Sequence, residues 1–406
     1  TLPQADGRPQ FLTQFESTPN GVVIVPQGGR AFFYDGYIAT PLGYAEIPGP
    51  PGVLGPIKKS IDDGSSNRED KANAAGYTHT GQNMNTVVGT SRIGSVTSGG
   101  SGSYKDTNPL GGTLEEGEWR ASIQWLDRWG NVSALSGPSE PARVDKQDNF
   151  FEVDSSRAEE DAARLKVQLC WTGIATGREG TVGRILCRTR DQKWSGSTQM
   201  YEVPNYSGTG RLAMSSIPDN TADMFPDNIP DTWLLKFPVD PVPVPNFKLC
   251  RMAFGMLWIA NWSGGEGVIR HSAPLFWGTF PKNTEIIPDP TGAHITGMWT
   301  CKFGLLVFTE SSTFLVQPNS EGTGFRAATL NRKVGCVSPD SIDTLPNGLT
   351  IWLGDKGFYA YDGKEVKLIS SDITDNVIRR INRGYRLQSC AAVDKLMNLF
   401  LSLASL

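Results

Sequence analysis

Groups able to do acid–base, nucleophilic or metal chemistry are sparse in this chain and poorly spaced for it. Histidine occurs only at His79, His271 and His294. Ser272 follows His271, but neighbours along a strand point to opposite faces, so a Ser–His couple is not expected there. No Cys or acid stands at ligand spacing from a histidine, which argues against zinc. The acid pairs Asp62-Asp63, Glu115-Glu116 and Glu159-Glu160 are sequence neighbours in polar stretches and read as solvated loops. Hydrolysis of a glycoside needs two carboxyls facing each other across a cleft. "IDDGSSNRED" has acids and a glycine without the alternation and closing Glu of a calcium loop. Neither G-x-x-x-x-G-K-[ST] nor G-x-G-x-x-G is present to cradle a phosphate. The expectation is a protein with no catalytic residue, no metal and no cofactor.

The cysteines, Cys170, Cys187, Cys250, Cys301, Cys336 and Cys390, form no C-x-x-C and sit in apolar contexts such as "VQLCW" and "FKLCRM". They read as buried free thiols made in a reducing compartment, where the sequons at Asn131, Asn205 and Asn261 mean little. Charge excludes another class. Lys plus Arg number 38 against 42 acids, a net charge of -4 over 406 residues. Nothing in that balance favours an electrostatic grip on nucleic acid or an anionic membrane. No apolar run is long enough for a membrane span, and the start lacks the basic-then-apolar pattern of a signal peptide. The absence of an initiator Met suggests a trimmed N-terminus.

With 45 glycines, 27 prolines and few helix patterns, the chain reads as all-β, made of short strands and tight turns. "NGVVIVPQGGRAFFYDG" from Asn20 and "NGLTIWLGDKGFYAYDG" from Asn347 share Asn-Gly, an Ile and a closing Tyr-Asp-Gly. "FGMLWIANWSGGEGVIRHS" from Phe254 and "FGLLVFTESSTFLVQ" from Phe303 follow the same plan: glycine, apolar strand, polar turn, second apolar strand. Their glycines recur every ~45 residues, the spacing of β-propeller blades. In "LTIWLG", Leu349, Ile351 and Leu353 share one face and Thr350 and Trp352 the other, both of which stacked sheets would bury. Asp35 and Asp362 of the two Tyr-Asp-Gly closures read as turn formers. Trp258, Trp299, Phe308, Trp352 and Phe358 read as packing residues.

The pattern breaks in between. Residues 56–112 are rich in Gly, Ser, Asn and Asp and read as an insertion or loop. Residues 113–235 carry spaced strands ("EWRASIQWLDRWGNVSALSGPSEPARV", "RLKVQLCW", "VGRILCRTR", "QMYEVPN"), as in a fibronectin type III or immunoglobulin-like β-sandwich. "FPVDPVPVPNF" is a stiff connector. The organisation expected is therefore 1–55 first propeller strands, 56–112 insertion, 113–235 sandwich and 236–406 further blades. "SDITDNVIRRINRG" predicts one helix, with Asp372 as N-cap, Gly384 as stop and Arg379, Arg380 and Arg383 on a solvated face. "NLFLSLASL" looks like a strand cut short, so the blades are expected to continue past the chain end.

The order of these pieces resembles the β-propeller nozzle or tail-hub proteins of short-tailed, podovirus-like bacteriophages. The similar features are "WLDRWGNVSALSGPSEP", "RILCRTR" with "QMYEVPN", "FGMLWIANW...VIRHSAP", "ITGMWTCKFGLLVFTESSTFLV" and "VGCVSPDSIDTLPNGLTIWLGDKGFYAYDG". They cover residues 114–406. What the resemblance implies is a homo-oligomer, usually a hexameric ring, in the virion tail, assembled in the host cytoplasm. Such a ring extends the DNA-ejection channel and contacts a tail adaptor and tail fibres or spikes. Genomic DNA would pass through it without specific binding.

Two alternatives belong to other classes. A propeller glycosidase of the sialidase kind repeats a Ser-x-Asp-x-Gly turn; "SIDTLPNGLTIW" offers Ser341 and Asp343, but Leu345 stands in the glycine place and no second copy exists. A glycan-binding module would use exposed aromatics, with Trp129 and Trp262 as candidates, although turn packing explains both.

Overall fold

The computed structural model describes residues 13–26, 29–59, 97–99, 103–105, 117–144, 166–204, 216–227, 229, 231–322, 324–371, 388–397 and 399–403. The expected helix at 372–384, most of the 56–112 insertion, His79 and the three acid pairs lie outside them. The chain forms two compact units: Glu46–Pro243 is one, and Thr1–Ala45 with Val244–Leu406 is the other. The fold is all-β. Among the described residues, helix is limited to the single turn Gln192–Ser195, capped by Asp191, and two 3-10 turns.

The unit formed by the two ends of the chain is a succession of antiparallel meanders, in which each strand pairs with the next. The first comprises Gln14–Thr18, Gly21–Val25, Phe32–Tyr34 and Ala39–Pro41. The second comprises Leu249–Ala253, Met256–Trp262, Gly265–His271 and Glu285–Ile286. Ile295–Cys301, Gly304–Thr309, Thr313–Pro318 and Phe325–Asn331 make the third. Asp343–Thr344, Thr350–Gly354, Gly357–Tyr361 and Val366–Leu368 make the fourth. A fifth has two described strands, Cys390–Asp394 and Leu399–Leu403. The echoed segments from Asn20 and Asn347 thus hold the second and third strands of the first and fourth meanders.

Turn chemistry sets the register. Gly354 pairs with Gly357 across Asp355-Lys356, and Cys301 with Gly304 across Lys302-Phe303. Gly357 has φ 145° and an added Cβ would lie 2.2 Å from Ser370 Oγ, so only glycine fits that strand start. Alternation then feeds two cores from one strand. Leu305 and Val307 pack with Trp258, Ile269, Ile295 and Phe314, while Leu306 and Phe308 turn the other way onto Trp352, Tyr359 and Tyr361. Trp258, Phe308 and Trp352 are fully buried; Trp299 is half-buried against the Phe308–Trp352 cluster, and Phe358 against Leu353.

In the Glu46–Pro243 unit, Gly52–Lys59 crosses the expected boundary at residue 55 and pairs with Lys166–Thr172, whose other edge takes Met224–Asp227. A second sheet orders Met200–Glu202, Thr181–Thr189 and Ala121–Asp127. Both sheets contribute to one core: Leu169 and Trp171 from the first, Ala121, Ile123 and Leu186 from the second, with Trp119 and Phe225.

Candidate functional site

The feature that organises the meander unit is a row of first strands. A first strand has a free edge whose N–H and C=O groups need partners. Side chains of the adjacent meander supply them, in chain order. Gln14 Oε1 accepts from Cys250 N at 3.1 Å, and Glu16 Oε1 from Met252 N at 2.7 Å. Thr300 Oγ1 donates to the Met252 carbonyl at 2.6 Å, and Arg251 Nε to that of Met298 at 3.3 Å. Trp299 Nε1 donates to Thr344 Oγ1 at 2.8 Å. Asp343 Oδ2 accepts from Val393 N at 2.8 Å. The first meander is thereby tied to the second, the second to the third, the third to the fourth and the fourth to the fifth.

Charge in this row is paired inside it. Arg251 Nη1 lies 2.9 Å from Glu16 Oε2, and its guanidinium sits 4.0 Å from the Trp299 ring centre. Glu16 is only 8% exposed, so the pair is largely desolvated and removing either member would strand the other. Burial pushes the Asp340 carboxyl above its usual range, which the field of Arg251 partly offsets.

The structure gives most of the residues singled out in the sequence a structural role. Ser341 is buried; its Oγ donates to the Ser338 carbonyl at 2.7 Å and accepts from Leu353 N at 3.2 Å. Asp343 holds the fifth meander and accepts from Thr344 N at 2.7 Å. Trp262 is 8% exposed beneath Arg270, 4.9 Å from its ring centre. Trp129 is half-buried, its backbone held by Asp127 Oδ1 at 2.8 Å and its ring covered by Arg128. His271 packs among Trp258 and Phe325, and burial lowers its pKa. Its Nδ1 is 2.9 Å from the Ser272 carbonyl, which requires the proton on Nδ1. His294 is exposed. Cys187, Cys250, Cys301, Cys336 and Cys390 are free thiols; burial pushes Cys336 up to about 12, far from a reactive thiolate. Among the described residues no group of three or more His, Cys, Asp or Glu side chains is placed to hold a metal ion, and no helix is long and apolar enough to cross a membrane.

The other unit contains two polar constructions that sequence reasoning missed. Arg188 is wholly buried with Asp227. Its Nε lies 2.8 Å from Asp227 Oδ2 and its Nη1 2.6 Å from Asp231 Oδ1. Trp171 Nε1 and Trp119 Nε1 donate to the same two carboxylates at 3.1 and 3.2 Å. The second is a serine strap along the free edge of Ala121–Asp127. Ser133, Ser136 and Ser139 accept from the N–H of Trp125, Ile123 and Ala121 at 2.9, 2.9 and 3.0 Å. Their own N–H groups return to the carbonyls of the same three residues. The S-x-x-S-x-x-S spacing in "NVSALSGPSEP" was the available signal, lost because three does not match the two-residue period of a strand.

No family model matches the chain, and no curated protein does. Among solved structures, two partial likenesses are to extracellular domains described as those of BT4673 from B. thetaiotaomicron, once as a one-component and once as a hybrid two-component system. The first is 10% identical over 89% of this chain and 33% of that one, at a TM-score of 0.23. The second is 10% identical over 63% and 34%, at a TM-score of 0.24. The chain spans about a third of the length of these structures, and so small a likeness carries no functional inference.

Proposed function

We propose that the chain is a structural protein of a short-tailed bacteriophage tail: a β-propeller, interrupted by a fibronectin-like β-sandwich, whose copies form a ring around the DNA-ejection path. The observation that carries the propeller reading is the row of first strands. Successive meanders joined through their first strands, with Gly304–Thr309 feeding a core on each face, are what blades set about an axis would require, and support that reading. The phage assignment rests on the motif order described above, and the all-β architecture is compatible with it.

In this reading the copies form a hexameric nozzle or hub in the virion, meeting a tail adaptor above and fibres or spikes at the side. The carboxylates and hydroxyls along the first strands tie one meander to the next, which suits a scaffold. A conduit must also let DNA slide, because each phosphate neutralised adds salt-sensitive affinity. A net charge of -4 suits that requirement. The isolated protein should give no gel shift with duplex DNA at low salt; a shift that vanishes as salt rises would contradict the conduit.

The deciding experiment is the mass and shape of the native particle by light scattering and class-averaged electron images. A ring of about six copies with a central hole supports the reading. A stable monomer shifts the weight to a glycan-binding propeller, to be pursued with glycan arrays and a hydrolysis assay.

A further inference from the structure

The fourth strands of the meanders are not alike. Ala39–Pro41, Glu285–Ile286 and Val366–Leu368 are 3, 2 and 3 residues long. Phe325–Asn331, the fourth strand of the third meander, has 7. The outer strand of a meander is a sheet edge, and folds of repeated sheets keep such edges short and protected because an open one invites pairing. Neither a proline nor a buried charge guards "FRAATLN".

The register identifies the groups on that edge. Asn319 N donates to the Gly324 carbonyl at 2.8 Å, so these two residues face each other as a hydrogen-bonded pair. Bonded and non-bonded pairs alternate along an antiparallel ladder. Gln317 is therefore bonded to Arg326 and Leu315 to Ala328, while Phe325, Ala327 and Thr329, opposite Pro318, Val316 and Phe314, turn their N–H and C=O outward. The turn at Thr309–Ser312 gives the same phase: Thr309 N donates to the Ser312 carbonyl at 2.9 Å, which directs Val316 towards Leu305 and away from Ala327. The outward groups of Phe325, Ala327 and Thr329 have no hydrogen-bond partner among the described residues. The free edge of Ala121–Asp127, by contrast, is closed by three serines.

The chemistry of the edge selects its occupant. A row of alternating donors and acceptors is matched by another extended backbone; phosphates offer acceptors alone and would leave the carbonyls unmet. Arg326 on the strand, and Arg332 and Lys333 just beyond it, are exposed, and no acid stands between Phe325 and Lys333. Two copies of this edge laid together would gather cations with nothing to offset them, and like charges across a strand pair are destabilising. An acidic strand meets them favourably, so the same residues that repel a second copy select a different partner.

We propose that Phe325–Asn331 receives an extended, acidic segment of a partner protein as an added strand on the third meander. The proposal stands apart from the ring reading and survives its failure.

The probe is a short fluorescein-labelled peptide alternating glutamate and valine, titrated with the full-length chain. It should bind by fluorescence anisotropy with an affinity that falls as salt rises, and should slow hydrogen exchange at the Ala327 and Thr329 amides, which exchange rapidly in the free chain. The same peptide with lysine for glutamate, and the glutamate peptide with alternate backbone nitrogens methylated, should not bind. Ala327→Pro removes one outward N–H and spares the bonds to Thr313–Pro318, so it should bind the probe about tenfold more weakly. Arg326→Glu with Arg332→Glu and Lys333→Glu keeps every backbone group and should exchange preference for the glutamate peptide for the lysine one, with an unchanged circular dichroism spectrum. No binding of the probe at millimolar concentration, or equal binding of the methylated peptide, overturns the proposal. Equal binding of the lysine peptide overturns the acidic partner. Slow exchange at Ala327 and Thr329 in the free chain shows that the chain covers its own edge, and overturns it as well.

Discussion

Replacing Arg188 by Ala should be among the most damaging single changes in the Glu46–Pro243 unit. The guanidinium is wholly buried against Asp227, itself wholly buried, at 2.8 Å, and against Asp231 at 2.6 Å. Its Nη2 also donates to the Ile229 carbonyl. Without it, Asp227 keeps only the N–H groups of Trp171 and Ile229, each at 3.1 Å, and no opposite charge. Breaking a buried pair from one side costs about 3–5 kcal/mol, most of it the desolvated charge left behind. Taking about 4 kcal/mol, the opening equilibrium shifts nearly three decades, at about 1.4 kcal/mol per decade. Hydrogen exchange of the peptide covering Thr181–Thr189 should therefore be about a thousandfold faster than in the parent. The double variant Arg188→Ala with Asp227→Ala should recover part of the loss, because the stranded carboxylate is gone. Exchange accelerated less than tenfold, or a double variant whose loss is the plain sum of the two single losses, would refute the argument that charge pairing holds this core.

Three further outcomes follow from other parts of the molecule. Ser136→Ala leaves the buried Ile123 N–H without its hydroxyl acceptor and should cost about 1–3 kcal/mol in urea unfolding; replacing Ser133, Ser136 and Ser139 together should also raise aggregation by freeing a strand edge. Burial pushes the Asp219 carboxyl up, but the N–H groups of Ala222 and Thr221 and the Arg184 guanidinium outweigh it and hold the group below its ordinary value of 3.8. Its contribution is thus present above pH 3.8 and lost as pH falls through the lower folded value, so Asp219→Asn should flatten thermal stability against pH in that acid window and leave its slope near neutrality unchanged. Trp352→Ala empties a fully buried site and removes a 3.1 Å hydrogen bond to the Gly335 carbonyl, which should cost about 3–5 kcal/mol by chemical denaturation.

Much of the fold is legible in the sequence because its determinants are local. The nearly unbroken apolar runs in "GLLVFT" and "LTIWLG" state that both faces of a strand are apolar, and the glycines at Gly304 and Gly357 fix where a strand restarts after its turn. The echo between Asn20 and Asn347 identifies strands of the same kind at both ends of the chain. Ser341, Asp343, Trp129 and Trp262 could be named from the sequence, but not their surroundings: a serine in a sialidase-like turn and one that ties a 3-10 turn to a strand read alike until the partner Leu353 N is placed.

The sequence by itself determined the all-β class, the hairpin units and the apolar faces, since strand period and turn residues act over a few positions. Tertiary structure alone decided which groups meet across the chain. Glu16 and Arg251 are separated by 235 residues, yet form one desolvated pair. Arg188 looks like any arginine in "RILCRTR" and is wholly buried only because Asp227 and Asp231 reach it. Tyr37 and Lys364 occupy matching places in matching turns, and their sequence context did not tell that the tyrosine would stand 91% exposed. Burial and pairing are properties of the folded surface, set by contacts that no local period encodes.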